Sequence, residues 1–212
     1  MALPSSGLVL SGNTLYGTAE FGGSAGKGTV FAVNADGTDF TNLHNFSALN
    51  NYTNEDGTNP QAGLVLSGRT LYGVGYNVGS EGYGMIFALD TNGSHFVNLY
   101  NFVGVPPSPG PYTNSAGTYP YGGLLLSGNN LYGTGNDGGN SGNGTVFKLV
   151  IPITLFYQNI GNAIVYSWND PSFVLQSAPA VTGTYTNIAS ATSPYTNSIT
   201  GVQRYLRLLV SQ

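Results

Sequence analysis

The 212-residue chain has no cysteine, which excludes disulfides and thiolate metal sites. It is also poor in charge: Asp, Glu, Lys and Arg make up 7% of it, far below the usual quarter. Its only basic residues are Lys27, Lys148, Arg69, Arg204 and Arg207, and the net charge is −4. No basic footprint able to neutralise phosphates can be assembled from these, so neither nucleic acid nor an anionic membrane surface is expected as a partner. No apolar run approaches membrane-spanning length, which argues against membrane insertion. Helical periodicity is missing over every useful window. Met1-Ala2-Leu3-Pro4 has neither a charged start nor a long apolar segment, so the chain is expected to begin inside a longer precursor.

Disorder normally goes with high charge and few aromatics, so low charge here does not mean disorder. Here there are 15 Tyr and 10 Phe, with 32 Gly. Gly and Asn mark turns, while Tyr, Phe, Leu and Val mark strands. One segment is written three times: GLVLSGNTLYGT at 7–18, GLVLSGRTLYGV at 63–74 and GLLLSGNNLYGT at 123–134. Each copy leads through a glycine-rich loop to a second apolar run: GKGTVFAV at 26–33, GYGMIFAL at 82–89 and GNGTVFKL at 142–149. Pro4, Pro60 and Pro120 anchor the register, which defines repeats 4–59, 60–119 and 120–150.

Each repeat predicts four strands. The leading run (Leu8–Leu10, Leu64–Leu66, Leu124–Leu126) is continuously apolar, as in a strand buried on both faces. Ser-Gly-Asn or Ser-Gly-Arg then turns the chain into the Leu-Tyr-Gly strand. The third strand is Thr29–Val33, Met85–Leu89 or Thr145–Leu149. Asp36-Gly37 and Asn92-Gly93 are hairpin turns into a fourth strand at Phe40–Phe46 and Phe96–Phe102. The predicted architecture is all-β: three four-stranded propeller-type blades over residues 1–150, then a small β-sandwich-like segment over 151–212. A β-sandwich with internal self-similarity is the alternative. The third blade is incomplete, because no Asp-Gly turn follows Val150; Ile153–Gln158 is a candidate for its missing strand.

The pattern P-x-x-G-L-V, G-x-L-Y-G-T, G-G-x-x-G-x-G-T-V-F, D-G, L-x-x-F and D-G-x-x-P resembles the GloVer-type tandem repeats of secreted bacterial proteins over about Pro4–Val150. The D-G-x-x-P element is intact at Asp56–Pro60 but starts with Ala116 in the next copy. The Gly-Gly pair reads Val78-Gly79 in the middle copy. The resemblance implies a propeller-like architecture and a secreted or bacterial cell-surface location, and no catalytic residues.

Three blades leave exposed edges, which proteins normally pair or cover. A homo-oligomer that closes the propeller, a dimer above all, is the favoured solution. Cover by the C-terminal segment, or an open piece of a longer protein, are the others. In that segment six short runs, Ile153–Gln158, Ala163–Trp168, Phe173–Ser177, Tyr185–Ile188, Tyr195–Ile199 and Gln203–Val210, resemble a fibronectin-III-like or immunoglobulin-like module. Trp168 is its expected core anchor, and Arg204 and Arg207 ride a strand, solvated or paired with Asp170. At this size the module is expected to dock on the blades.

Catalytic and metal constellations are thin. His44 and His95 fall on the fourth strand or its entry, where neighbouring copies have Tyr100 and Asp39, and no GxSxG elbow is present. Asp36 and Asp90 belong to turns. Asn54–Gly57, or Asn34 with Asp36 and Asp39, could offer oxygens to Ca²⁺, but turn chemistry explains both. No catalytic residue, metal or cofactor is assigned. What differs between copies is the loops: Glu20, Tyr76 and Asn136; Phe21, Asn77 and Asp137; Lys27, Tyr83 and Asn143. Equivalent loops gather on one face of a propeller, so Glu20, Lys27, Tyr76, Tyr83, Asn136 and Asp137 are the candidate ligand-binding residues. Tyr52, Tyr112, Tyr119 and Tyr121 in the insertions add a composition suited to carbohydrate or protein partners. The leading expectation is a non-enzymatic binding or assembly module. Alternatives are a polysaccharide hydrolase or lyase using Glu20 and Asp137, and a purely structural spacer.

Overall fold

The structure, a computed structural model, describes residues 6–104, 114–151, 155–168, 173–198 and 203–210. Pro4, Tyr112 and Asp170 lie outside them. The described residues are all-β, arranged in several small antiparallel sheets with no helix. Two compact units divide the chain, Met1–Ile151 and Pro152–Gln212.

In the first unit each repeat makes its own sheet. The first contains β1 (Val9–Ser11), β2 (Thr14–Ala19), β3 (Thr29–Asn34) and β4 (Thr41–Asn45), in that order. The second repeats it with β5 (Val65–Ser67), β6 (Thr70–Gly75), β7 (Met85–Asp90) and β8 (Val97–Asn101). The leading hairpins pair Ser11 with Thr14 and Ser67 with Thr70. That leaves two loop residues, the first of them Gly12 (φ 57°) or Gly68 (φ 56°), where a positive φ suits the hairpin twist. Between third and fourth strands the register slips once, at Val30/Phe31 and again at Ile86/Phe87. A bulge therefore recurs at the same place in both copies.

The third sheet departs from this plan. It holds β9 (Thr118–Pro120), β10 (Leu125–Ser127), β11 (Asn130–Asp137) and β12 (Thr145–Val150), with β10, β11 and β12 in order and β9 joining the far end of β11. No described strand pairs with the outer edge of β12. The expected donor of a fourth strand does not supply one: β13 (Phe156–Ile160) pairs with β14 (Ala163–Ser167) through the Gly161-Asn162 turn. The physical reason is local. The sequence after Val150 carries no Asp-Gly turn, whereas Gly161, at φ 56°, closes a tight hairpin.

The sheets pack face to face. Tyr16, Val30, Ala32 and Phe46 of repeat one meet Leu64, Leu71, Met85, Phe87 and Leu89 of repeat two in one buried cluster. Tyr72, Val74, Ile86, Ala88 and Phe102 of repeat two meet Leu124, Leu131 and Ile151 in a second. Alternate residues of β7 thus feed opposite cores, which is why Met85–Asp90 is apolar almost throughout and buried on both faces. Each buried Leu or Phe contributes about 1.5–3 kcal/mol.

Double-sided burial of the leading strand, expected for all three copies, does not hold for the outer two. Leu64 is buried, but Leu8 is 53% exposed, Leu10 58% and Leu125 64%. Burial on both faces requires a neighbouring sheet on each side, and among the described residues of the first unit only repeat two has both. The three sheets do not close into a ring.

In the second unit, β15 (Phe173–Ala178), β16 (Thr186–Asn187), β17 (Tyr195–Ser198) and β18 (Tyr205–Val210) complete two three-stranded sheets, β13-β14-β17 and β16-β15-β18. Trp168 is buried, and its indole Nε1 donates to the Phe173 carbonyl at 3.2 Å. Arg207 sits on β18, but its partners are Gln176 Oε1 (2.9 Å) and the Tyr185 ring, 4.2 Å from its centroid.

Candidate functional site

The variable loop residues Glu20, Lys27, Tyr76 and Tyr83 of the first two repeats meet the next repeat, position by position. At the first junction Gln61 Nε2 donates to Glu20 Oε1 at 2.5 Å, and the Asn59 N–H donates to the Lys27 carbonyl at 2.9 Å. At the second, the Tyr119 N–H donates to the Tyr83 carbonyl at 2.9 Å, and Tyr76 meets Tyr121 edge-on at 5.5 Å. These contacts are possible because Pro60 and Pro120, which open repeats two and three, each lie against a glycine. A Cβ on Gly84, whose φ is 95°, would lie 2.5 Å from Pro120 Cδ. The motif glycine thus lets the next repeat approach, and that approach brings the variable residues together.

The second junction assembles four tyrosines. Tyr76 and Tyr119 have ring centroids 5.6 Å apart, and Tyr83 and Tyr119 5.8 Å. Tyr121 is 62% exposed, while the other three are half-buried. Burial raises the Tyr119 phenol above its ordinary pKa, and the neighbouring Tyr83, Tyr76 and Asp137 add to the rise. Asp137 pairs in register with Thr118, next to Tyr119, and accepts from Asn136 Nδ2 at 3.2 Å. Beside it lies an open groove of about 570 Å³ lined by Tyr121, Thr134, Asn136 and Asn143. Of the six candidates, Tyr76, Tyr83, Asn136 and Asp137 therefore share one neighbourhood. Glu20 and Lys27 belong to the other junction, where Glu20 already holds Gln61.

This cluster offers aromatic faces, phenol hydroxyls, a carboxylate and amides. Such a set can stack against an apolar ring face and hydrogen-bond its edge. Tyr119 and Tyr121 were legible as insertion tyrosines. Their contact with Tyr76 and Tyr83 was not, since it crosses between repeats. The spacing of Pro120 to the loop glycines is the one sequence signal that points to it.

The histidines also have partners. His44 Nε2 lies 3.0 Å from Asp56 Oδ2 and its ring stacks on Phe96 at 3.9 Å. Asp56 also accepts from the Ser47 N–H at 2.9 Å and from the Ser47 hydroxyl. Burial pushes the Asp56 carboxyl up, but the bonds from His44 and Ser47 outweigh it and hold the group below the usual carboxylate value. Both Ser47 and His44 bind the same carboxylate, so the serine is not placed on the imidazole as a nucleophile would be. His95 is mostly exposed and bonds Asp90 at 2.9 Å, which Arg69 also holds at 3.1 Å. His44 is thus tied to the Asp-Gly motif 12 residues on, a contact with no local sequence signal.

Of the oxygens considered for Ca²⁺, those of Asp36 and Asp39 are engaged, whereas the buried Asn54 Oδ1 has no hydrogen-bond partner. Asn54 Nδ2 donates to the Ser47 and Gly57 carbonyls, Asp36 accepts from Thr38, and Asp39 from Asn34. Among the described residues no three His, Asp or Glu side chains converge as metal ligands would.

A family described as the Gloeobacter/Verrucomicrobia repeat matches residues 1–190. The chain belongs to this family. The Gloeobacter/Verrucomicrobia repeat match runs beyond Val150, where the visible tandem pattern stops, and takes in β13 to β16 of the second unit. No curated protein matches the chain. Among solved structures, it is similar to a chain of a nidogen/laminin complex at 14% identity, covering 75% of this chain and 53% of that one, with a TM-score of 0.36. It is also similar to a putative 6-phosphogluconolactonase from Bacteroides fragilis at 14% identity, covering 92% and 56%, with a TM-score of 0.29. The chain spans about half the length of these solved chains.

Proposed function

We propose that this Gloeobacter/Verrucomicrobia repeat protein is a non-enzymatic binding and assembly module, secreted or displayed on a bacterial surface, with carbohydrate as the ligand of its tyrosine cluster. The observation that carries this reading is the gathering of Tyr76, Tyr83, Tyr119 and Tyr121 beside Asn136 and Asp137, with Tyr121 exposed at the edge of a groove. Stacking on a tyrosine face and hydrogen bonding to amides and a carboxylate is chemistry that suits a sugar ring. A glycan array followed by titration calorimetry tests it. Binding should be lost in Tyr121→Ala, which removes an exposed ring and leaves the core intact. An array with no hit from the folded protein overturns the carbohydrate reading in favour of a protein partner or a spacer.

The three repeat sheets are read as propeller-type blades, and the second unit as a small sandwich. Support for the blades comes from their consecutive face-to-face packing and from the recurrence of the same strand order in repeats one and two. The chain is further proposed to pair with a second copy. Repeat one leaves Leu8, Leu10 and Phe40 exposed on one face; repeat three leaves Leu125, Val146 and Val150 exposed on the opposite one. These are the repeat equivalents of surfaces that pack together at both internal junctions. Two copies joined head to tail at both ends would bury them in a two-fold ring of six sheets. Light scattering at micromolar concentration decides: a strict monomer overturns the ring.

A further inference from the structure

In the first two repeats the outer strand is bracketed by phenylalanines with one pattern, Phe-x-Asn-Leu-x-Asn-Phe, at 40–46 and 96–102. The first Phe lies flat on a third-strand Phe: Phe40 on Phe31 at 5.4 Å, Phe96 on Phe87 at 5.5 Å. Phe96 is also enclosed by the preceding repeat, stacked against His44 at 3.9 Å and edge-on to Phe46 at 6.1 Å. The closing Phe46 and Phe102 donate their N–H to the Gly28 and Gly84 carbonyls. The two asparagines clasp each other across the bulge, Asn98 Nδ2 to Asn101 Oδ1 at 2.8 Å.

Repeat three has the walls of this slot. Phe147 is the equivalent of Phe87, Tyr100 of His44 and Phe102 of Phe46. Phe102 meets Phe147 edge-on at 5.1 Å and 62°, close to the 5.5 Å and 68° of Phe46 on Phe87. Between these walls lies a cleft of about 250 Å³ lined by Ile86, Tyr100, Phe102, Phe147 and Leu149. It runs beside the outer edge of β12, which no described strand pairs. The consequence shows in burial: β7 is buried at every position, whereas Phe147 and Leu149 are only half-buried.

We propose that this cleft and the β12 edge form a strand-addition site for an extended segment of another polypeptide carrying the Phe-x-Asn-Leu-x-Asn-Phe pattern. The occupant's chemistry is set by what fills the equivalent slots. An aromatic enters between Phe147 and Tyr100, and the backbone pairs antiparallel along Thr145–Lys148. The bulge falls at Val146/Phe147, and the second Phe N–H reaches the Gly144 carbonyl. Main-chain pairing supplies affinity and the aromatic pocket supplies selection, as in other edge-strand recognition. The site goes beyond the carbohydrate reading and uses none of its tyrosines.

The test uses the full chain and a fluorescein-labelled peptide His-Phe-Val-Asn-Leu-Tyr-Asn-Phe, the sequence of residues 95–102. Anisotropy should saturate below about 1 mM peptide. A peptide carrying Phe96→Ala should bind at least about tenfold more weakly, as expected for loss of one buried ring. Hydrogen exchange should slow at Thr145–Val150 in the complex and stay unchanged in β3 and β7. The proposal is overturned by absence of binding up to that concentration, by equal binding of the Phe96→Ala or a scrambled peptide, or by protection that spares β12.

Discussion

Glu20 and Gln61 meet across the first repeat junction, amide to carboxylate, at the position where Tyr76 and Tyr121 meet across the second. Two chemically unrelated pairs occupy one structural slot. Variation between copies at this position is therefore matched variation, since each side chain answers to the residue that follows the next proline.

Coupling between these positions is measurable. Glu20→Tyr and Gln61→Tyr should each destabilise by about 0.5–1.5 kcal/mol, the value of a hydrogen bond. The double variant installs the second junction's pair in the first and should recover part of that loss. Urea denaturation of all four proteins should give a coupling energy of at least about 0.5 kcal/mol. Strict additivity would show that the two side chains do not interact in solution.

Acid should weaken the first repeat's outer corner through Asp56. Its carboxyl is held below the ordinary value, so the folded state favours the ionised form. The contribution is fully present above the unfolded value near 3.8 and is lost as pH falls through the lower folded value. Asp56→Asn should remove this part of the acid sensitivity and cost about 1–3 kcal/mol at neutral pH. Melting temperatures between pH 2 and pH 7, taken at about 1-unit steps, are the readout; parallel curves for both proteins would contradict the assignment.

Two glycines of the repeat motif should differ in their tolerance of alanine. A Cβ on Gly73 would lie 2.5 Å from Phe87 Cζ and 2.8 Å from Leu64 Cδ2, whereas one on Gly123 would meet nothing within 4 Å. Gly73→Ala is expected to cost about 1–3 kcal/mol by overpacking. Gly123→Ala should fall within about 0.5 kcal/mol of the parent. Equal midpoints in chemical denaturation would mean that the sheet relaxes around Gly73.

Val146 is 80% exposed on the open face of repeat three. Val146→Asp should leave the melting temperature of the isolated chain nearly unchanged but convert a two-copy ring to monomers, seen by sedimentation velocity. A variant that keeps the parent's two-copy mass would place the contact elsewhere.

Most of the architecture could be read from sequence because it is local. A Gly at the turn and a Leu-Tyr-Gly strand, written three times, and an Asp-Gly or Asn-Gly hairpin, written twice, determine where strands start and reverse and that the chain is an all-β repeat. Composition determined that the surface carries few charges and no thiol. What depended on tertiary packing was everything between repeats. The same leucine is buried at position 64 and exposed at position 8, because burial depends on whether another sheet lies alongside. Glu20 was legible as a variable loop acid; that Gln61 occupies it was not, since the two lie 41 positions apart and meet only when Pro60 seats against the glycine loop. Ile153–Gln158 read as a strand, and the strand found there is Phe156–Ile160, but its partner was settled by a nearby hairpin turn instead of by the open edge of β12. Short-range turn chemistry chose the strands, and packing between sheets chose which of their faces became core, junction or cleft.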